Sequence, residues 1–178
     1  SVASGAILYL TITGVNQFAV AAGAAGIHVP SWASLVLGGN GRLVIENGSA
    51  VKDGNLIQGA GIGGNTGETC GTIAINGAEL TVQSRYAACI GGGSNASGGT
   101  VVINGGKLTL YSEEAAAVGG GYHGNGGNIT ITGGQITGTG FYQGAVLGGG
   151  TAGAGGQVLI SGGTLFLTNY GDGAGIGG

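Results

Sequence analysis

The sequence predicts an all-β chain folded as a right-handed parallel β-helix, a solenoid of stacked coils of 28–29 residues. Three observations carry this. An aliphatic residue followed by two glycines recurs at Ile62-Gly63-Gly64, Ile90-Gly91-Gly92, Val118-Gly119-Gly120, Leu147-Gly148-Gly149 and Ile176-Gly177-Gly178, at intervals of 28, 28, 29 and 29 residues. Within each interval lie two short runs of alternating apolar and polar residues, the period of a strand with one buried face. Finally, 47 glycines in 178 residues coexist with a single proline and a mean hydropathy of +0.39. That composition is too apolar for a disordered linker and lacks the proline and strict triplet of collagen.

The chain reads as one domain, with irregular leading coils over 1–54 and regular repeats over 55–178. GAILYLTIT at 5–13 predicts a strand. Ile27 and Val29 open a longer coil of about 35 residues, in which GRLVIENG directs Leu43 and Ile45 inward. In the regular part the first run of each unit is TIAINGA, TVVINGG, NITITGG or QVLISGG, and the second is ELTVQS, KLTLYS, QITGTG or TLFLTN. Period two places Ile73, Ile75, Leu80 and Val82 in the core. The same places hold Val101, Ile103, Leu108 and Leu110, then Ile129, Ile131 and Ile136, then Val158, Ile160, Leu165 and Leu167. Gly138 leaves a gap in one column. The outward columns are Thr81, Thr109, Thr137 and Phe166; Thr72, Thr100, Asn128 and Gln157; and Asn76, Asn104, Thr132 and Ser161. Glycine pairs at 105–106, 133–134 and 162–163 suit corners that need positive φ. A β-sandwich of hairpins is the competing fold, and the regular period argues against it.

Charge excludes several functions. Arg42, Lys52, Arg85 and Lys107 are the only fixed cations and the net charge is −3, so no basic patch exists for nucleic acid or an anionic membrane surface. No apolar run reaches the ~20 residues of a spanning helix. Cys70 and Cys89 make no disulfide framework, though a single bridge between them is left open, and only His28 and His123 could join them on zinc, at unsuitable spacing. No metal and no cofactor are expected.

The motifs point away from catalysis. GAGIGG at 59–64 fits G-x-G-x-x-G, but no helix pattern follows, and the same six letters recur at 173–178 with the repeat, as no cofactor loop would. Among the seven acids only Glu113 and Glu114 are close in sequence, and adjacent residues rarely oppose each other across a cleft. An ice-binding array of threonines is interrupted by Glu79, Lys107, Gln135 and Thr164. The loops before each aliphatic-Gly-Gly are more informative. Aligned, Tyr86, Glu114, Tyr142 and Tyr170 fall nearly in one column, with Arg85, Phe141, Asn169 and Asp172 beside them. Aromatic faces beside polar forks suit sugar rings. Tyr122 and His123 are a further loop pair of this kind. The alternative role for these tyrosines is to cover the core edge.

The pattern GAGIGGN…GTIAINGAELTVQS…ACIGGGSNASGGTVVINGGKLTL resembles the glycine-rich AGIGGG/GGTITINGG repeats of large surface-exposed β-helical proteins of bacteria. LTITGVNQFAV…AAGIHVPSWASLVLGGNGRLVIENG is similar to the leading coils of those regions. The resemblance implies an extracellular, cell-surface, carbohydrate-binding or adhesin-like module without enzymatic activity. The expected partners are glycans or other surface molecules. No polar cap follows the last repeat, which leaves two expectations: a segment of a longer repeat protein, or, as the alternative function, a filament subunit whose coils stack end to end into a homopolymer.

Overall fold

Each coil is built from three strands, and the alternation in sequence decides where each lies. The first coil holds β1 (Ile7–Ile12), β2 (Val15–Val20) and β3 (Ile27–His28). In the second, β4 (Ser34–Gly39) and β5 (Arg42–Asn47) are followed by an inserted hairpin, β6 (Ala50–Lys52) and β7 (Asn55–Ile57), before β8 (Ile62–Gly63). The third has β9 (Thr72–Ile75), β10 (Glu79–Ser84) and β11 (Ile90–Gly91), and the fourth β12 (Thr100–Ile103), β13 (Lys107–Ser112) and β14 (Val118–Gly119). The fifth has β15 (Asn128–Ile131), β16 (Gln135–Gly140) and β17 (Leu147–Gly148), and the sixth β18 (Gln157–Ile160), β19 (Thr164–Asn169) and β20 (Ile176–Gly177). The computed structural model describes residues 1–178.

Equivalent strands stack into three parallel six-stranded sheets, ordered β1-β4-β9-β12-β15-β18, β2-β5-β10-β13-β16-β19 and β3-β8-β11-β14-β17-β20. The molecule is therefore an all-β solenoid of six coils. Only β6 and β7 pair antiparallel as strands. Their turn carries Asp53 and Gly54 at φ 51° and 76°, the double positive φ that a two-residue hairpin turn needs and that Asp-Gly supplies. This hairpin accounts for the longer second coil. The first coil is in full register with it, Leu8 opposite Leu35 and Phe18 opposite Ile45.

The stacking register aligns the inward columns. Leu43, Leu80, Leu108 and Ile136 follow one another with 0% exposure, as do Leu35, Leu37, Ile73, Ile75, Ile103 and Ile131. Ile62, Ile90, Val118 and Leu147, the aliphatic members of the repeat signature, are equally buried. The sixth coil departs from expectation. Val158, Leu165 and Leu167 are half-buried and Ile160 is 41% exposed, because these strands have a neighbour on one side only. The gap at Gly138 is filled from across the interior: a Cβ there would lie 2.4 Å from a methyl of Val146. The positions equivalent to Val146 in the preceding coils are Gly61, Cys89 and Ala117, facing coils that carry Ile45, Val82 and Leu110. Bulk on one wall offsets the lack of it on the other, as close packing requires.

The second residue of each aliphatic-Gly-Gly is held by a harder constraint. Gly63, Gly91, Gly119, Gly148 and Gly177 have φ between 133° and 146°. At the first four a Cβ would stand 1.8–2.1 Å from the carbonyl oxygen of the equivalent glycine one coil on. Gly67 contrasts with them. Its φ is 74° but nothing lies within 4 Å, and the equivalent positions already hold Asn95, His123 and Ala152 at positive φ. Gly91→Ala is expected to destabilise the chain by ~3 kcal/mol or more, combining backbone strain with overpacking. Gly67→Asn should stay within about 1 kcal/mol. Urea unfolding of the two variants measures the difference.

Candidate functional site

The corner between the second and third sheets carries the loops singled out in the sequence. Ser84 pairs with Ser112, Ser112 with Gly140, and Gly140 with Asn169, so the next residues form the column Arg85, Glu113, Phe141, Tyr170. Tyr86, Glu114 and Tyr142 form the column after it. Tyr170 thus stands one column away from its expected place. The loop 141–146 holds one residue more than 113–117, which shifts every later residue by one. Asp172 lies exposed further along the last loop.

Within these columns the side chains pair by coil. Arg85 Nε is 3.0 Å from Glu113 Oε2, and the Arg85 guanidinium lies 4.8 Å from the centre of the Tyr86 ring. Phe141 and Tyr170 stack with centroids 5.9 Å apart at 26°. Tyr86 meets Tyr122 edge-on at 6.4 Å, and Tyr122 stacks on His123 at 3.9 Å. The Tyr122 N–H donates to the Tyr86 carbonyl, which ties the two loops together. His123 occupies the positive-φ turn position of its loop, so its ring is displayed on an exposed corner. The structure brings Tyr86, Tyr122 and His123 into one cluster and Phe141 and Tyr170 into a second. Glu114 is half-buried, and its carbonyl accepts from the Thr151 hydroxyl at 2.7 Å. Tyr142 projects into solvent.

A groove of about 460 Å³ opens beside this ridge. Its walls are Glu46, Asn47 and Ser49 at the end of β5 and Gln58 after the hairpin. Gln83 to Arg85, Tyr111, Glu113 and Phe141 complete it from the next three coils. Its origin is the hairpin. In the fourth coil the N–H groups of Glu113 and Glu114 donate to the carbonyls of Ser84 and Arg85, one coil earlier. The equivalent groups of the third coil would look to the second, where the chain has left the stack to form β6 and β7. One side chain replaces the missing rung. Gln58 is 1% exposed, and its Oε1 accepts the N–H groups of Arg85, Tyr86 and Ala87 at 2.5–3.2 Å, while Nε2 donates to the Asn47 carbonyl at 3.0 Å. Ser94 anchors the same segment, donating to the Leu56 carbonyl and accepting the Gln58 N–H. No periodicity marks Gln58; Asp-Gly in VKDGNLI was the available signal for the hairpin.

Elsewhere the chemistry is structural. His28 Nε2 lies 2.8 Å from Glu68 Oε2 and His28 Nδ1 2.8 Å from the Ser1 hydroxyl, tying the first coil to the loop after β8. Cys70 and Cys89 are buried and free. Burial pushes both thiols up to about 12, so they stay protonated and apolar. No group of three or more His, Cys, Asp or Glu is placed to hold a metal ion. No helix is long and apolar enough to cross a membrane.

Gln58→Leu should lower stability by at least ~2 kcal/mol, because it strands buried backbone donors. Gln83→Ala, an exposed neighbour, should stay within about 0.5 kcal/mol. Denaturation midpoints compare them directly. No family model, curated protein or solved structure matches the chain.

Proposed function

We propose that this chain is a non-catalytic module of the extracellular cell surface, structural and adhesive, that binds glycans along its loop ridge. One observation carries the reading: successive coils present aromatic pairs along the corner between the second and third sheets of a rigid stack, Phe141 with Tyr170, and Tyr86 with Tyr122, which reaches it from the loop between β14 and β15. Apolar ring faces flanked by Arg85, Glu113 and Asn169 offer both the packing and the hydrogen bonds that pyranose rings use. The glycine-rich repeat resemblance supports the same location and role. Catalysis is disfavoured by the one close pair of acids. Glu113 is engaged by Arg85, and Glu114 belongs to a different column. A glycan array on the full chain and on the triple variant Tyr86→Ala, Tyr142→Ala, Tyr170→Ala tests the ridge. Binding to long oligosaccharides should fall about tenfold or more on losing these contacts. Unchanged binding removes these residues from the site.

A second reading, a self-assembling filament, is favoured by a different observation. The strands of the first and sixth coils each have a neighbour on one side only. Exposed apolar residues gather there, Ile7, Tyr9, Val15 and Phe18 on one end and Leu159, Ile160, Phe166 and Ile176 on the other. Both ends offer the same three strands in the same order and direction, so a second copy can continue the ladders. In that reading the purified chain elongates into fibres one coil wide, seen by negative stain. A monodisperse monomer by light scattering discards it.

A further inference from the structure

We infer that the groove between the hairpin and the ridge is the primary subsite for an uncharged saccharide, one disaccharide unit in extent. The inference rests on the glycan-binding reading above and sharpens it, since of the groove residues only Arg85 and Phe141 were expected from sequence to take part in binding. Its size, about 460 Å³, falls in the range of small-molecule sites and is roughly that of a disaccharide. Its walls are mainly polar, with two aromatic rings, Tyr111 and Phe141, set on successive coils. This is the mixture a sugar asks for: faces for its C–H groups and forks for paired hydroxyls. Glu46 and Gln83 occupy facing positions in adjacent strands and are both exposed, so their carboxylate and amide form such a fork. A lining of this kind is poorly suited to an apolar guest.

The charge decides the class of sugar. The groove holds Glu46, Glu113 and Arg85. Arg85 pairs with Glu113 through Nε and lies over the Tyr86 ring. With two carboxylates against one guanidinium the lining is net negative, and the whole chain is at −3. Anionic glycans therefore meet repulsion. Neutral ones meet acceptors and aromatic faces. Longer chains leaving the groove pass over Phe141 toward Tyr170, so the ridge extends the site rather than founding it.

The test uses the full chain and two lengths of probe. Cellobiose, maltose, lactose and N,N′-diacetylchitobiose are titrated by NMR, with the matching hexasaccharides, digalacturonate and chitosan dimer by calorimetry or NMR. At least one neutral disaccharide should shift the amides of Gln83 to Glu113 that face the groove. Glu46→Gln and Gln83→Ala, both at exposed sites, should weaken di- and hexasaccharide alike, about tenfold for the charged partner. The double variant Tyr142→Ala, Tyr170→Ala should weaken the hexasaccharide and leave the disaccharide within about threefold. If groove variants leave binding unchanged while ridge variants abolish it, the groove inference falls and the ridge reading stands. Preference for digalacturonate or for the chitosan dimer overturns the neutral class. If no probe of any charge binds, the glycan reading itself falls, and the groove with it.

Discussion

A carbonyl oxygen occupies the space where a side chain would begin at Gly63, Gly91, Gly119 and Gly148, and the whole stack depends on that contact. At φ near 140° the chain turns through a conformation closed to residues with a Cβ. The turn lets the preceding aliphatic residue point inward at the narrowest wall, where each strand is only two residues long. The glycine one coil on must sit directly beneath, or the two carbonyls and N–H groups lose their partners: the N–H of Gly64 donates to Gly91, and that of Gly92 to Gly119. The repeat is therefore not a motif laid on a fold. It is the steric record of coils approaching at the ~4.8 Å of hydrogen-bonded strands.

Such a stack has no tolerance for a missing rung at its corners, yet the second coil lacks one. Eight residues leave the ladder as β6 and β7, and the N–H groups of Arg85 and Tyr86 lose the carbonyls that their equivalents, Glu113 and Glu114, use one coil on. Gln58 resolves this because its amide is a peptide group on a tether, an acceptor and a donor in the geometry of the backbone it replaces. The acceptor serves Arg85, Tyr86 and Ala87 together, the concave arrangement of successive N–H groups that elsewhere holds an anion. A side chain is thinner than a strand corner. The volume left over is the groove, walled on one side by the end of β5, whose continuation has been diverted, and on the other by coils that stay in the stack.

Sequence made the fold legible because stacking repeats every constraint. Ile73, Val101 and Ile129 announce the same buried column three times, and the glycines announce the same corner. What it hid was everything that does not repeat. The hairpin changes only the length of one coil. Gln58 looks like any polar loop residue, since the N–H groups its Oε1 accepts lie 27 to 29 positions away. The extra residue in 141–146 moves Tyr170 by one column, and nothing in the local pattern locates an insertion inside a loop. The exchange of bulk between Gly138 and Val146 is invisible until two strands face each other. The state of Cys70 and Cys89 was also beyond reach, because pairing depends on distance across the interior rather than along the chain.

The same division places function. Backbone and inward columns fix the shape, so substitutions there are answered by strain or cavity. The outward columns and loop tips meet weaker demands: Thr81, Thr109, Thr137 and Phe166 succeed one another on one line without disturbing the strands. Asn76, Asn104 and Thr132 do hydrogen-bond along theirs, at 2.8 and 2.7 Å, but on the surface, where such bonds contribute modestly. A chain of this kind is free to vary its surface at fixed pitch. Rings on neighbouring coils then come automatically within stacking range, as Phe141 and Tyr170 do. The proposed recognition of a linear glycan would suit such a ruler, because one irregular coil could supply the anchoring groove while the regular coils extend the contact.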